Sequence, residues 1–276
     1  MLRIVFFIFI SLLLSACTPP VGTPGDMLRV KSQFAFYNLN AQYQRAVNDA
    51  KTISPLYLRD DLIIIDNKFL DKRLVTTKIQ NKEMVLVATF LKKDYLPYWM
   101  IRDPFKLDFD SFVTIPGEWE DKAEDFLKLD DAALHDRIIK KVGMHYLSEN
   151  SHFVVFYADA EAMIRPAYNP DISSKMTYLG YSESATLNFK HWLDKKISDA
   201  YDKAPYFPFT RLGYTYDWGS KNPRKDGLTE FVVPKGTLIK VKNILSYQDF
   251  IKYYVRLPTY RKMNEPHLKH EKTPFH

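Results

Sequence analysis

The chain has one cysteine, Cys17, so everything beyond it must fold without a disulfide. Stability then has to come from a packed core, and the composition supplies one, with 46% hydrophobic and 15% aromatic residues. The position of the cysteine constrains the chain as much as its solitude. Arg3 precedes an apolar run from Ile4 to Leu14, and Ser15 and Ala16 stand directly before Cys17. A positive start, a short apolar stretch and small residues make a secretory leader. The run is too short for a membrane-spanning helix, which needs about 20 residues. Removal of residues 1–16 leaves about 260 residues, enough for one large domain or two small ones.

Leu14-Ser15-Ala16-Cys17 resembles the lipobox of bacterial lipoproteins. The resemblance implies cleavage before Cys17, a diacylglycerol thioether on its sulfur and an acyl chain on the new amino terminus. Two or three acyl chains anchor a protein far more firmly than one, so the expected partner of Cys17 is a bilayer that the protein does not span. Thr18, where inner-membrane retention in enteric bacteria uses aspartate, implies the outer membrane, with the domain facing the periplasm or the cell surface. The Pro- and Gly-rich segment after Cys17, up to Asp26, reads as a tether reaching roughly 25 Å.

Beyond residue 26 the pattern gives a single globular body over 27–258, followed by a polar, mobile tail over 259–276. Phe36 to Thr52 has helical spacing and ends at Ser54-Pro55. Leu62–Ile65 reads as a short strand. Arg73–Ile79 and Glu83–Leu91, separated by Gln80-Asn81-Lys82, read as a hairpin whose second strand is central. Lys92–Asp110 reads as a long aromatic loop before a strand at Ser111–Ile115. Helices are expected over Glu118–Leu129, Asp131–Val142 and Ser184–Tyr201, and a buried strand over His152–Ala158. Strands then follow at Thr210–Trp218, Thr229–Val233 and Leu238–Ile244, with a last helix at Tyr247–Tyr254. Without regular βαβ alternation this is an α+β fold with a mixed or mainly antiparallel sheet.

Net charge is +6, and the basic excess is confined to the end of the chain, where residues 219–276 hold twelve Lys/Arg against five Asp/Glu. Lys235, Lys240 and Lys242 are therefore candidate contacts for an anionic envelope component or a protein partner. Tyr98 and Trp99 in the aromatic loop are candidate contacts as well. No nucleic-acid partner is expected. The nine glycines form no phosphate-cradling motif, no metal motif is present and no cofactor is expected. Asp130, Asp131, His135 and Asp136 read as a solvated helix start. Ser182, Ser184 and His191 suit a helix cap and a helix surface, and His267, His270 and His276 fall on the tail.

The richest polar cluster is Arg211 to Trp218 together with Glu230. If its two strands pair, Arg211, Asp217 and Glu230 meet on a sheet, where a carboxylate beside tyrosines serves as acid, base or cation anchor. The simpler expectation is an Arg211–Asp217 ion pair beside an aromatic core. Glu230-Phe-Val-Val-Pro-Lys-Gly-Thr-Leu-Ile-Lys-Val241 also resembles the end of an ADP-ribosyltransferase domain. There a glutamate opening a strand stabilises the ribosyl cation, and Glu230 would take that role. The chain departs from the pattern at Leu228, where the family has Glu or Gln, and in lacking a Ser-Thr-Ser strand. The reading from sequence is thus an anchored binding or envelope-organising module, with a secreted enzyme, either transferase-like through Glu230 or a hydrolase with an unrecognised site, as the alternative.

Overall fold

The computed structural model describes residues 24–66, 71–100 and 104–258. The leader, Cys17 and the tail with its three histidines lie outside the described residues. The fold is α+β, and all its strand pairs are antiparallel. Contacts divide the chain into Met1–Leu39 and Asn40–His276. Of the first unit the description covers the opening turns of helix α1 (Pro24–Lys51). The expected tether therefore ends sooner, because proline is accepted at the first helical position, where its missing N–H leaves nothing unpaired. Every strand and the core between them belong to the second unit.

Gln80 and Asn81 both take left-handed backbone, with φ of 51° and 63°. Two such residues in succession make the turn whose twist matches a hairpin, so β1 (Thr76–Ile79) joins β2 (Lys82–Lys92) without a third loop residue. Met84 to Ala88 are at most 2% exposed. Both faces of β2 are covered, as the unbroken apolar run requires. Beside it lie β5 (Asn150–Asp159), in register from Met84↔Asp159 to Leu91↔His152, and β4 (Ser111–Thr114), touching at Ala88↔Thr114.

The last part of the chain closes this sheet. β7 (Asp226–Val233) and β8 (Leu238–Ser246) are separated only by the Pro234–Thr237 turn, yet β4, β2 and β5 lie between them in the sheet order. β8 pairs with β5 on one side and with the short β3 (Phe105–Lys106) on the other. The ladders Phe105↔Ile239 and Ser111↔Val233 to Thr114↔Glu230 are in phase, although residues 107–110 and the Pro234–Thr237 turn between them belong to neither. Between these stretches the Leu107 amide bonds the Thr237 carbonyl at 3.1 Å, and the Gly236 amide bonds the Leu107 carbonyl at 2.7 Å. Phe105–Thr114 and Glu230–Ile239 are thus one bent ribbon whose two ends are stitched to β5 and β2. Val87, Val113, Ile115, Phe156, Phe231 and Ile239 fill the core it encloses.

Several local expectations are corrected. Leu62–Ile65 is buried but forms no strand. Its amides bond the Lys175 and Ile172 carbonyls and the Thr229 hydroxyl. Lys92–Asp110 is not a plain loop, since it contains helix α2 (Leu96–Met100) as well as β3. The helix expected over Glu118–Leu129 stops early, as α3 (Pro116–Asp121) and one 3-10 turn, and the Phe126 and Leu129 carbonyls beyond them accept from Arg256. Helix α4 (Asp131–Lys141) begins at the Asp130 cap, and α5 (Leu187–Tyr201) at Thr186. Only Tyr214–Tyr216 of the expected Thr210–Trp218 strand is regular, as β6. The alternation there sorts nothing into solvent, because Thr210 to Trp218 are all buried. The final helix, α6 (Tyr247–Ile251), continues as a π turn over Lys252–Arg256.

One buried arginine pins the irregular segments. Arg165 is 1% exposed and donates to the carbonyls of Ile63 at 2.9 Å, Ile172 and Ser174 at 3.2 Å, and Asp171 at 3.3 Å. Gly213 (φ 82°) leaves it room, since a β-carbon there would lie 2.5 Å from the arginine Cδ. Carbonyls deprived of a buried donor carry their full desolvation cost. Arg165→Met should therefore lower stability by about 3 kcal/mol, measured by urea denaturation.

Candidate ligand cavity around Glu230

Glu230 sits inside β7, in an otherwise apolar stretch. Its amide bonds the Gly213 carbonyl at 2.9 Å and its backbone pairs with Thr114. Because side chains alternate along a strand, Phe231 and Val233 enter the core and Glu230 does not. It lines a cavity of about 560 Å3 whose walls are mainly apolar and rich in aromatic rings, among them Tyr95, Tyr98 and Trp99 from the α2 region, Phe109 and Phe112 around β4, and Trp119 from α3. This wall is fixed. Trp119 Nε1 donates to Thr114 Oγ1 at 2.9 Å, Tyr98 Oη accepts from the Asp108 amide at 2.9 Å, and Trp99 packs 5.1 Å from the Phe156 ring.

A second cavity, of about 700 Å3, shares Phe112, Val142, Met144, Thr215 and Glu230 with the first. Its remaining lining is more polar and includes Lys92, His145, Asn150, Lys196 and Asp199. Glu230 therefore stands on the wall common to an aromatic chamber and a mixed one. Glu230 is half-buried, open to the cavity space, and desolvation pushes its pKa up to about 8. No described side chain donates a hydrogen bond to it. Glu118, buried and also shifted upward by desolvation, differs in accepting both the Thr229 amide (2.8 Å) and hydroxyl (3.1 Å). A desolvated carboxyl without a partner, facing a cavity, marks a functional site more than a scaffold.

The other sequence candidates are placed elsewhere. Asp217 is fully buried and held by Arg137 at 2.8 and 2.6 Å, with Lys141 at 3.2 Å; both cations also reach Asp125. Arg211, at φ 49°, donates to the Lys51 carbonyl at 2.6 Å and lies over the Tyr201 ring. The expected Arg211–Asp217 ion pair does not form, and neither side chain bonds Glu230, although β6 and β7 do pair. Lys235, Lys240 and Lys242 are exposed, the last two beyond the point where β3 covers β8. Lysines on such an edge also discourage sheet-to-sheet pairing.

Asp130 caps α4, His135 Nε2 meets the Asn150 carbonyl at 2.7 Å, and Asp136 pairs with Lys140. Ser182 and Ser184 share Asn169 Oδ1, while His191 is exposed on α5. Sequence reasoning found Glu230, Tyr98 and Trp99 but not Phe112, Thr114, Trp119, Met144 or Thr215. The signal available was the charge itself, a lone carboxylate inside a strand too apolar to face water. Comparison with known proteins returns nothing: no family model, no curated protein and no solved structure matches the chain. No helix among the described residues is long and apolar enough to cross a membrane.

Glu230 titrates near 8 when folded and near its ordinary 4.5 when unfolded. The folded state holds the proton longer, so this group favours folding below pH 4.5 and loses that contribution as pH rises through about 8. Relative to Glu230→Gln, the wild type should lose stability over this interval at up to about 1.4 kcal/mol per pH unit. Paired urea titrations across the range measure the difference.

Proposed function

We propose that this chain is a lipid-anchored envelope protein that binds a small, largely apolar molecule in the aromatic chamber beside Glu230. The observation that carries the reading is a preformed cavity of about 560 Å3 with fixed aromatic walls and a carboxyl that no described residue satisfies. Ligand sites are of this size and kind, mainly apolar with a few polar groups that orient the ligand. The rim is apolar as well, with Tyr95 62% and Phe109 41% exposed. The lipobox-like leader supports an anchor through Cys17 and an outer-membrane address, and the exposed lysines on β8 would suit an anionic envelope surface.

A second reading, an enzyme acting through Glu230, is favoured by the same unpaired carboxyl, which suits a general acid or the stabiliser of a cation. The transferase-like version draws less support. Leu228, where that family places a polar partner, is 0% exposed and belongs to the core.

Octanol should bind the aromatic chamber and change the fluorescence of Trp99 and Trp119. Tyr95→Ala with Phe109→Ala should weaken that binding about tenfold, or ~1.4 kcal/mol, without unfolding the domain. No saturable response would remove the cavity reading. Cys17→Ser should shift the protein from the membrane to the soluble fraction and abolish acyl labelling; retention of both would refute the anchor.

A further inference from the structure

The aromatic chamber has acidic groups on its wall and no Lys, Arg or His. Its two carboxyls are not equivalent. Asp110 accepts the Trp192 indole N–H at 2.8 Å and the Lys235 amide at 3.1 Å, with Lys196 at 3.6 Å, so its charge is already answered. Glu230 has no such partner among the described residues. The neighbouring hydroxyls of Thr114 and Thr215 make no hydrogen bond to it. Thr114 accepts from Trp119, and Thr215 donates to the Lys141 carbonyl while accepting from the Leu228 amide. What the chamber lacks is a positive charge.

The remaining wall is mainly apolar and rich in aromatic rings. Their faces are electron-rich and attract cations most strongly where water is excluded. Tyr95, Tyr98, Trp99 and Phe109 gather on one side, with ring centroids 5.1 to 6.0 Å apart for the Tyr98–Phe109, Tyr98–Trp99 and Trp99–Phe109 pairs. We propose that the ligand of this chamber is a lipophilic amine, its ammonium group paired with the Glu230 carboxylate and its apolar part lying among these rings. The proposal rests on the reading of the chamber as a ligand cavity and narrows it to one chemical class. A neutral hydrocarbon would leave the carboxyl as unsatisfied as before, and an anion would meet two carboxyls, with the nearby Lys196 already paired to Asp110. A neutral polar head could hydrogen-bond the carboxyl, but a cation also balances the charge it carries once ionised.

The test compares octylammonium, octanol and octyl sulfate, which share a chain and differ in the charge of the head. Calorimetry uses the full chain carrying Cys17→Ser, so that no acyl chain competes for the cavity. At about pH 9 the alkylammonium keeps its proton while Glu230 has released its own. Octylammonium should bind at least tenfold more tightly than octanol, octyl sulfate should not compete, and Glu230→Gln should bring the amine down to the alcohol. If amine and alcohol bind equally, or the sulfate binds as well as the amine, the amine class is overturned while the cavity reading stands. If no probe binds, the cavity reading falls and the amine with it. Should Glu230→Gln fail to fold, the three-probe series on the unsubstituted site decides alone.

Discussion

The bent antiparallel ribbon of Phe105–Thr114 against Glu230–Ile239 is the constraint on which the remaining architecture depends. Its two ladders, Phe105–Lys106 with Leu238–Ile239 and Ser111–Thr114 with Glu230–Val233, are in phase across the Pro234–Thr237 turn. Its two ends are secured to different partners, β5 at one end and β2 at the other, and β2 and β5 pair with each other. The sheet therefore cannot flatten, and its inner face closes on a core from which water is excluded. A shift of one residue in that register would move Phe231 and Val233 out of the core and Glu230 into it, at the cost of an unpaired carboxyl among aliphatic side chains. Packing and electrostatics thus select the same pairing.

The buried charges of the protein fall into two kinds. Asp217 with Arg137 and Lys141, and Arg165 with its four carbonyls, are groups that meet several well-placed partners. They hold loops and helices where no regular backbone pairing reaches. Such clusters are costly to break and add little as a net stabilising force, which suits them to fixing geometry. Glu230 belongs to the other kind. Its environment raises its pKa through burial and offers nothing in return. Glu230 instead borders the aromatic cavity.

The anchoring of α1 shows the same reliance on distant parts of the chain. Asp49 accepts hydroxyls from both Tyr57 and Tyr216, the first at 2.6 Å. Arg211 caps the carbonyl at the end of that helix, where a cation is favoured. In the sequence these residues look like surface polar groups and ordinary tyrosines. The roles of Tyr216 and Arg211 arise from being brought to this helix across more than 150 positions.

By itself the sequence determined the elements whose signals are local. The Gln80-Asn81 turn, the central β2 run, the Asp130-capped α4 and the α+β class all follow from period, capping and turn chemistry, each read within a few residues. It also singled out Glu230, as part of a polar cluster with Arg211 and Asp217 and through a local resemblance at Glu230–Val241. The tertiary structure alone decided which strands neighbour which, since β7 and β8 are four residues apart in sequence and three strands apart in the sheet. It alone decided that Arg211 and Asp217 serve the scaffold while Glu230 faces a cavity. The reason is physical: a buried charge takes whichever partner the closed fold brings within about 3 Å, and no local pattern encodes which distant residue that will be.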